Sequence, residues 1–63
     1  MTPQERANRD LHRAIERFDE AHAAWVRALE ADMPREIIAQ YRHDREVAHG
    51  MVVMAREIEE GLR

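Results

Sequence analysis

Apolar side chains recur along almost the whole chain at alternating steps of four and three residues, which is the spacing of a coiled-coil seam. The seam positions are Ala7, Leu11, Ala14, Phe18, Ala21, Trp25 and Ala28, then Ile37, Tyr41, Asp44, Ala48, Met51, Ala55, Ile58 and Leu62. A strand would need an alternation of period two, which is missing here. The repeat therefore predicts an all-α fold.

Turn-forming residues divide this repeat into two helices. The segment Thr2-Pro3-Gln4-Glu5 combines a capping threonine, a proline at the first helical position and a glutamate that closes a capping box. The segment Asp32-Met33-Pro34 marks a second start, with either Asp32 or Met33 as the N-cap. Because the link is short, the two helices must lie antiparallel. We predict a single helical-hairpin domain over residues 1–63, with helix 1 at about 3–30, a turn at 31–33 and helix 2 at about 34–61.

The two predicted helices also match each other in side-chain size. If the turn is centred near residues 32 and 33, antiparallel neighbours have numbers that sum to about 66. Phe18 then faces Ala48, and Leu11 faces Ala55. Large side chains meet small ones in these layers, as close packing requires.

The apolar surface of helix 2 is wider than one neighbouring helix can cover, since it spans roughly 160° of the helical wheel. A chain of 63 residues without cysteine is also only marginally able to fold without a partner. Two-fold homodimers are the commonest oligomers, so we expect the hairpin to dimerise into a four-helix bundle. The side chains expected in the core or dimer interface are Leu11, Ala14, Phe18, Ala21, Trp25, Ala48, Met51, Val52, Met54, Ala55 and Ile58.

Two polar residues, His22 and Asp44, interrupt the apolar pattern at the same level of the predicted hairpin. Three interpretations fit them: a buried hydrogen bond that fixes the register, a metal site shared by two subunits, or a pair at the rim with little effect. We expect the buried hydrogen-bonded pair. No nucleophile or glycine-rich loop accompanies it, so we expect neither enzymatic activity nor a cofactor.

An E-x-x-H pattern at Glu46 and His49 has the spacing of the ligand pair found on di-iron carboxylate helices. With the segment His12-Arg13-Ala14-Ile15 and the carboxylate of Glu20, it resembles the layout of the short hairpin ferritins that assemble inside encapsulin shells. That resemblance implies a metal-binding hairpin with ligands at Glu20, Glu46 and His49. This is an alternative function for the chain.

A second alternative function is RNA binding, and the charge of the chain helps to evaluate it. The length, the heptad seam and the alternating small and large layers resemble the Rop type of RNA-binding hairpin dimer. However, the ten basic residues, all arginine, are interspersed with thirteen acidic ones, and the formal net charge is −3. Nucleic-acid binding usually requires a basic stripe, so we expect nucleic acid to be an unlikely partner.

No targeting or membrane-spanning segment is evident. The residues at 1–6 lack the apolar core of a signal peptide. The longest unbroken apolar run, residues 51–55, is far shorter than the ~20 residues that span a bilayer. We expect a cytoplasmic protein with no membrane partner.

Aromatic and arginine side chains near the predicted hairpin tip favour a protein-binding role, because such residues dominate protein interfaces. We predict a small regulatory or adaptor protein that binds another protein, of the kind that phages or mobile elements encode to inhibit host factors. The candidate partner surface, at the tip or on the outer face of helix 2, comprises Val26, Arg27, Arg35, Tyr41, Arg42 and Val53.

Overall fold

The computed structural model describes all 63 residues and contains two helices and no strand. Helix α1 spans Pro3–Glu30 and helix α2 spans Arg35–Gly61. They pack as an antiparallel hairpin of 45 × 14 × 12 Å. A helix of this length measures about 40 Å at 1.5 Å per residue, so both helices run the full length of the molecule. The all-helical hairpin predicted from the repeat is confirmed.

Helix α1 begins at the cap that the sequence predicts. Thr2 is extended, and its Oγ1 accepts a hydrogen bond from the backbone N–H of Glu5 at 3.2 Å. The carbonyl of Thr2 accepts from the N–H of Arg6 at 3.0 Å. The first bond satisfies an amide that a helix start otherwise leaves without an intrahelical partner, and the second is the first regular bond of the helix.

The turn between the helices is a Schellman motif at the end of α1. The N–H of Met33 donates to the carbonyl of Ala28, and the N–H of Asp32 donates to the carbonyl of Leu29, both at 3.1 Å. This pattern requires a left-handed residue at the position of Asp32, which has φ of 54°. Asp32 thus terminates the first helix rather than capping the second.

Helix α2 starts one residue later than predicted, and neither Asp32 nor Met33 is its N-cap. Pro34 occupies that position, without a side-chain hydrogen bond, and its carbonyl accepts from the N–H groups of Ile37 and Ile38. Asp32 is committed to the left-handed turn. The ring of Pro34 disfavours the helical conformation for the residue before it, so the helix cannot extend back to Met33.

Helix α1 turns its predicted seam toward α2. Ala7, Ala14 and Ala28 are buried, and the four other seam positions of this helix are half-buried. Alanines at these positions let the two helix backbones approach closely, because their side chains occupy little of the space between them. The seam of α1 therefore forms this helix's side of the contact with α2.

Helix α2 is rotated about its axis relative to the prediction. The residues that it turns toward α1 are Ile38, Tyr41, Arg45, Ala48, Val52, Ala55 and Glu59, which are all buried or half-buried. They too follow alternating steps of three and four, but from a start one residue later. The predicted seam shared Tyr41, Ala48 and Ala55 with this set. Its other members, Ile37, Asp44, Met51, Ile58 and Leu62, are exposed. The rotation is roughly 60° at 3.6 residues per turn.

The physical consequence of this rotation is a small core. Only six of 63 residues are buried, five of them alanine or valine, and no large side chain is fully buried. Met51, Met54 and Ile58, which were expected in the core or interface, are 47%, 63% and 59% exposed. They lie outside the core of the hairpin, where they are accessible to another molecule.

Candidate functional site

Exposed apolar side chains form a stripe along α2, which we call the α2 stripe. Its five side chains follow one another at steps of four, three, four and four residues, so they share one face of the helix. They are Val47, Met51, Met54, Ile58 and Leu62, and their exposed fractions range from 44% to 63%. Contiguous apolar surface of this kind on a folded chain marks an interaction site.

Charged side chains of α1 border the α2 stripe. Asp10 and Ala14 line a groove of about 240 Å³ together with Met51, Met54, Ala55 and Ile58. Arg13 and Arg17 line an adjoining groove with Asp10, Ala14 and Met51. The chain has one ion pair, between Glu59 and Arg63, so Asp10, Arg13 and Arg17 have no ionic partner within the hairpin.

An aromatic cluster joins the two helices near the middle of the hairpin. The Nε–H of Arg45 donates to Nδ1 of His22 at 3.0 Å. Its guanidinium carbon lies 5.7 Å from the ring centroid of Phe18 and 5.1 Å from that of Trp25. Both distances are within the range of cation–π attraction.

The predicted hydrogen bond between His22 and Asp44 is therefore wrong. Asp44 is exposed on α2, and the next residue, Arg45, takes the place facing His22. The rotation of α2 explains this exchange, since it moves position 45 into the seam and position 44 out of it. Arginine also has the length to reach the imidazole while stacking on Phe18 and Trp25.

The predicted metal ligands are not brought together either. No group of three or more His, Cys, Asp or Glu side chains is arranged to hold a metal ion. His49 packs instead against the ring of Phe18, with 5.7 Å between the ring centroids and 56° between the ring planes. Glu20 and Glu46 are exposed. A metal site that uses Glu20, Glu46 and His49 therefore has no counterpart in this structure.

The sequence analysis does not predict the burial of two polar groups. Glu59 is only 4% exposed, and its Oε1 accepts from Arg63 at 2.8 Å. The i, i+4 spacing of these two residues is a recognisable signal for such a pair. The indole N–H of Trp25 is buried without an acceptor, which costs about 1–3 kcal/mol in typical cases. No sequence signal predicts that cost.

Four of the six residues of the predicted partner surface lie near the hairpin tip, in two separate depressions. Arg27 and Tyr41 line a cavity of about 220 Å³, whose other walls are Ala24, Ala28, Ala31 and Met33. Arg35 and Arg42 line a different depression, formed with Ile38 and Ala39. The remaining two members, Val26 and Val53, line neither: Val26 is half-buried on α1 and Val53 is 40% exposed on α2.

No family model, curated protein or solved structure matches this chain. Neither helix is both long and apolar enough to cross a membrane. The function is therefore inferred from the surfaces of the hairpin itself.

Proposed function

We propose that this chain is a small regulatory or adaptor protein, without enzymatic activity, that acts by binding proteins as a homodimeric four-helix bundle. The observation that carries the proposal is the α2 stripe, whose five large side chains remain about half exposed in the hairpin. The grooves beside it are lined by alanine, methionine and unpaired charged residues. Such a surface suits a helix of another chain better than a small-molecule substrate.

The free energy of apolar burial favours a partner that covers most of the stripe. Complete burial of a large apolar side chain contributes about 1.5–3 kcal/mol, so covering eight half-exposed ones, four from each of two copies, contributes on the order of 6–12 kcal/mol. Association of two chains costs an estimated 4–15 kcal/mol. The two ranges overlap, and a partner that covered only one or two of these side chains would not bind stably.

The tip is the surface that we assign to a target protein. Tyr41 and Arg27 flank a recess there, while Arg35 and Arg42 provide two exposed cations on a neighbouring surface. Aromatic and arginine side chains are the most frequent anchors of protein interfaces. An inhibitor of a host factor, encoded by a phage or mobile element, is the specific form of this proposal that the small size favours.

The target is tested with tagged protein as bait in a lysate of the source cells. The wild type should retain a defined protein, and the double variant Arg35→Glu/Arg42→Glu should lose it. Arg9→Glu is the matched control, because Arg9 is equally exposed but lies near the opposite end of α1. Recovery of no specific protein, or equal recovery by the tip variant, would contradict the assignment.

A further inference from the structure

We infer that the α2 stripe is covered by the α2 stripe of a second copy of this chain, with the two α2 helices antiparallel. This inference rests on the proposed homodimer and specifies its face and its orientation. Two observations carry it independently: the order of the side chains within the stripe, and the order of the charges on α1 beside it.

Four of the five stripe residues are arranged symmetrically under a two-fold rotation, and Leu62 lies beyond them. Val47, Met51, Met54 and Ile58 are separated by four, three and four residues, so the order of spacings is the same in either direction. When two copies meet antiparallel, Val47 faces the partner's Ile58 and Met51 faces the partner's Met54. Every stripe residue of this segment then meets an apolar residue, in the isologous arrangement of a two-fold dimer.

Two of the three charged residues beside the stripe, Asp10 and Arg17, follow the same symmetry, while Arg13 lies close to the two-fold axis. The two-fold axis crosses α2 between residues 52 and 53. These lie level with residues 14 and 15 of α1, since the numbers of His22 and Arg45, and of Phe18 and His49, both sum to 67. That level is one residue from the midpoint between Asp10 and Arg17. The rotation therefore brings Asp10 within about two residues, or about 3 Å along the helix axis, of the level of the partner's Arg17, which is within the reach of the arginine side chain.

These two charges cannot satisfy each other within one chain. Asp10 and Arg17 are seven residues apart on one helix, about 10 Å along its axis, and neither forms an ion pair in the hairpin. A parallel second copy would set α1, with Asp10 and Arg17, against the partner's stripe and bring charge onto apolar side chains. Only the antiparallel copy matches both the apolar and the charged parts of the face.

Cysteine cross-linking tests the orientation, because the natural chain has no cysteine. Val47→Cys and Ile58→Cys are purified separately, then oxidised alone and as an equimolar, re-equilibrated mixture. A disulfide-linked dimer should form in the mixture only. In the antiparallel dimer two cysteines at position 47 lie 11 residues apart along the helix axis, about 16 Å, beyond the reach of a disulfide.

Each outcome of the cross-linking experiment either supports or contradicts the antiparallel dimer. Cross-linking of Val47→Cys with itself would indicate parallel helices and overturn the inference. A mixture that does not cross-link, although light scattering shows a dimer, would mean that another face is used; the homodimer would stand and this inference would fall. A monomeric wild type would remove the homodimer as well. Circular dichroism on each variant confirms that it is helical before oxidation.

Charge exchange supplies a second test with a different readout. Asp10→Arg or Arg17→Asp alone should weaken the dimer on the order of tenfold, because each change replaces two attractive contacts with repulsive ones. The double variant Asp10→Arg/Arg17→Asp should restore wild-type affinity. Rescue can arise only between copies, since the two residues do not meet within one chain. Failure of the double variant to recover affinity would contradict the register.

Discussion

Arg45 and His22 are the two residues that tie the helices together by a side-chain hydrogen bond, with Arg45 Nε donating to His22 Nδ1 at 3.0 Å. The same guanidinium stacks on Phe18 and Trp25. In a hairpin whose core is mostly alanine, this arginine reaches from α2 to three rings of α1. It occupies a seam position that a heptad pattern normally reserves for an apolar residue.

Replacement of Arg45 tests this role. Arg45→Lys should lower the free energy of unfolding by about 1–2 kcal/mol, because lysine has no Nε–H donor at the right place and no planar group to stack. The measurement is urea unfolding at fixed protein concentration. Arg42→Lys, an exposed position on the same helix, is the matched control and should leave stability unchanged. An equal effect of both substitutions would contradict a specific role for Arg45.

The left-handed conformation of Asp32 gives a second prediction. A non-glycine residue in this region carries a steric cost that glycine does not, so Asp32→Gly should stabilise the chain by roughly 0.5–1 kcal/mol. Asp32→Val should destabilise it, because a β-branched side chain tolerates positive φ least. Thermal unfolding followed by circular dichroism provides the comparison. A loss of stability in Asp32→Gly would show that the aspartate side chain is itself required in the turn.

Gly50 gives a third prediction, concerning the outer surface of α2. Glycine within a helix is less favourable than alanine by about 1 kcal/mol, and a Cβ added at Gly50 would meet no atom within 4 Å. Gly50→Ala should therefore stabilise the hairpin by about that amount without weakening the dimer. If sedimentation showed a weaker dimer instead, a second backbone would have to pass close to Gly50, outside the interface assigned above.

Substitution within the stripe gives a fourth prediction. Met51→Glu should abolish the dependence of the melting temperature on protein concentration, because it places two carboxylates, one from each copy, in an otherwise apolar interface. Val53→Glu is the matched control, since Val53 is similarly exposed on the same helix, at 40% against 47%, but lies off the stripe. Loss of the concentration dependence in both variants would point to general destabilisation rather than to an interface.

Much of the fold follows from the sequence because its signals are local. The Thr2 cap and the spacing of Ala7, Ala14 and Ala28 specify where α1 lies and which face it turns inward. Pro34 limits where α2 begins. These features depend on backbone geometry and side-chain size within a few residues, which a single sequence records directly.

The rotation of α2 could not be predicted in the same way. Its apolar arc is wide enough to offer two neighbouring seams, one through Met51 and Ile58 and the other through Val52 and Glu59. Counting apolar residues favours the first seam. The hairpin uses the second, in which Arg45 stacks on the aromatic rings of α1. Which seam is used depends on contacts of the charged side chain of Arg45 with residues far away in the sequence. Counting apolar residues does not register these contacts, and this is why it places Asp44 in the core.

The native mass of the chain tests the central claim of a homodimer most directly. Sedimentation equilibrium of the untagged protein from micromolar to near-millimolar concentration should give twice the chain mass of 7.5 kDa, with dissociation only at the lowest concentrations. Met51→Glu should give the single-chain mass throughout this range, and Val53→Glu should behave like the wild type. A folded wild-type chain that sediments at 7.5 kDa at every concentration would contradict the account.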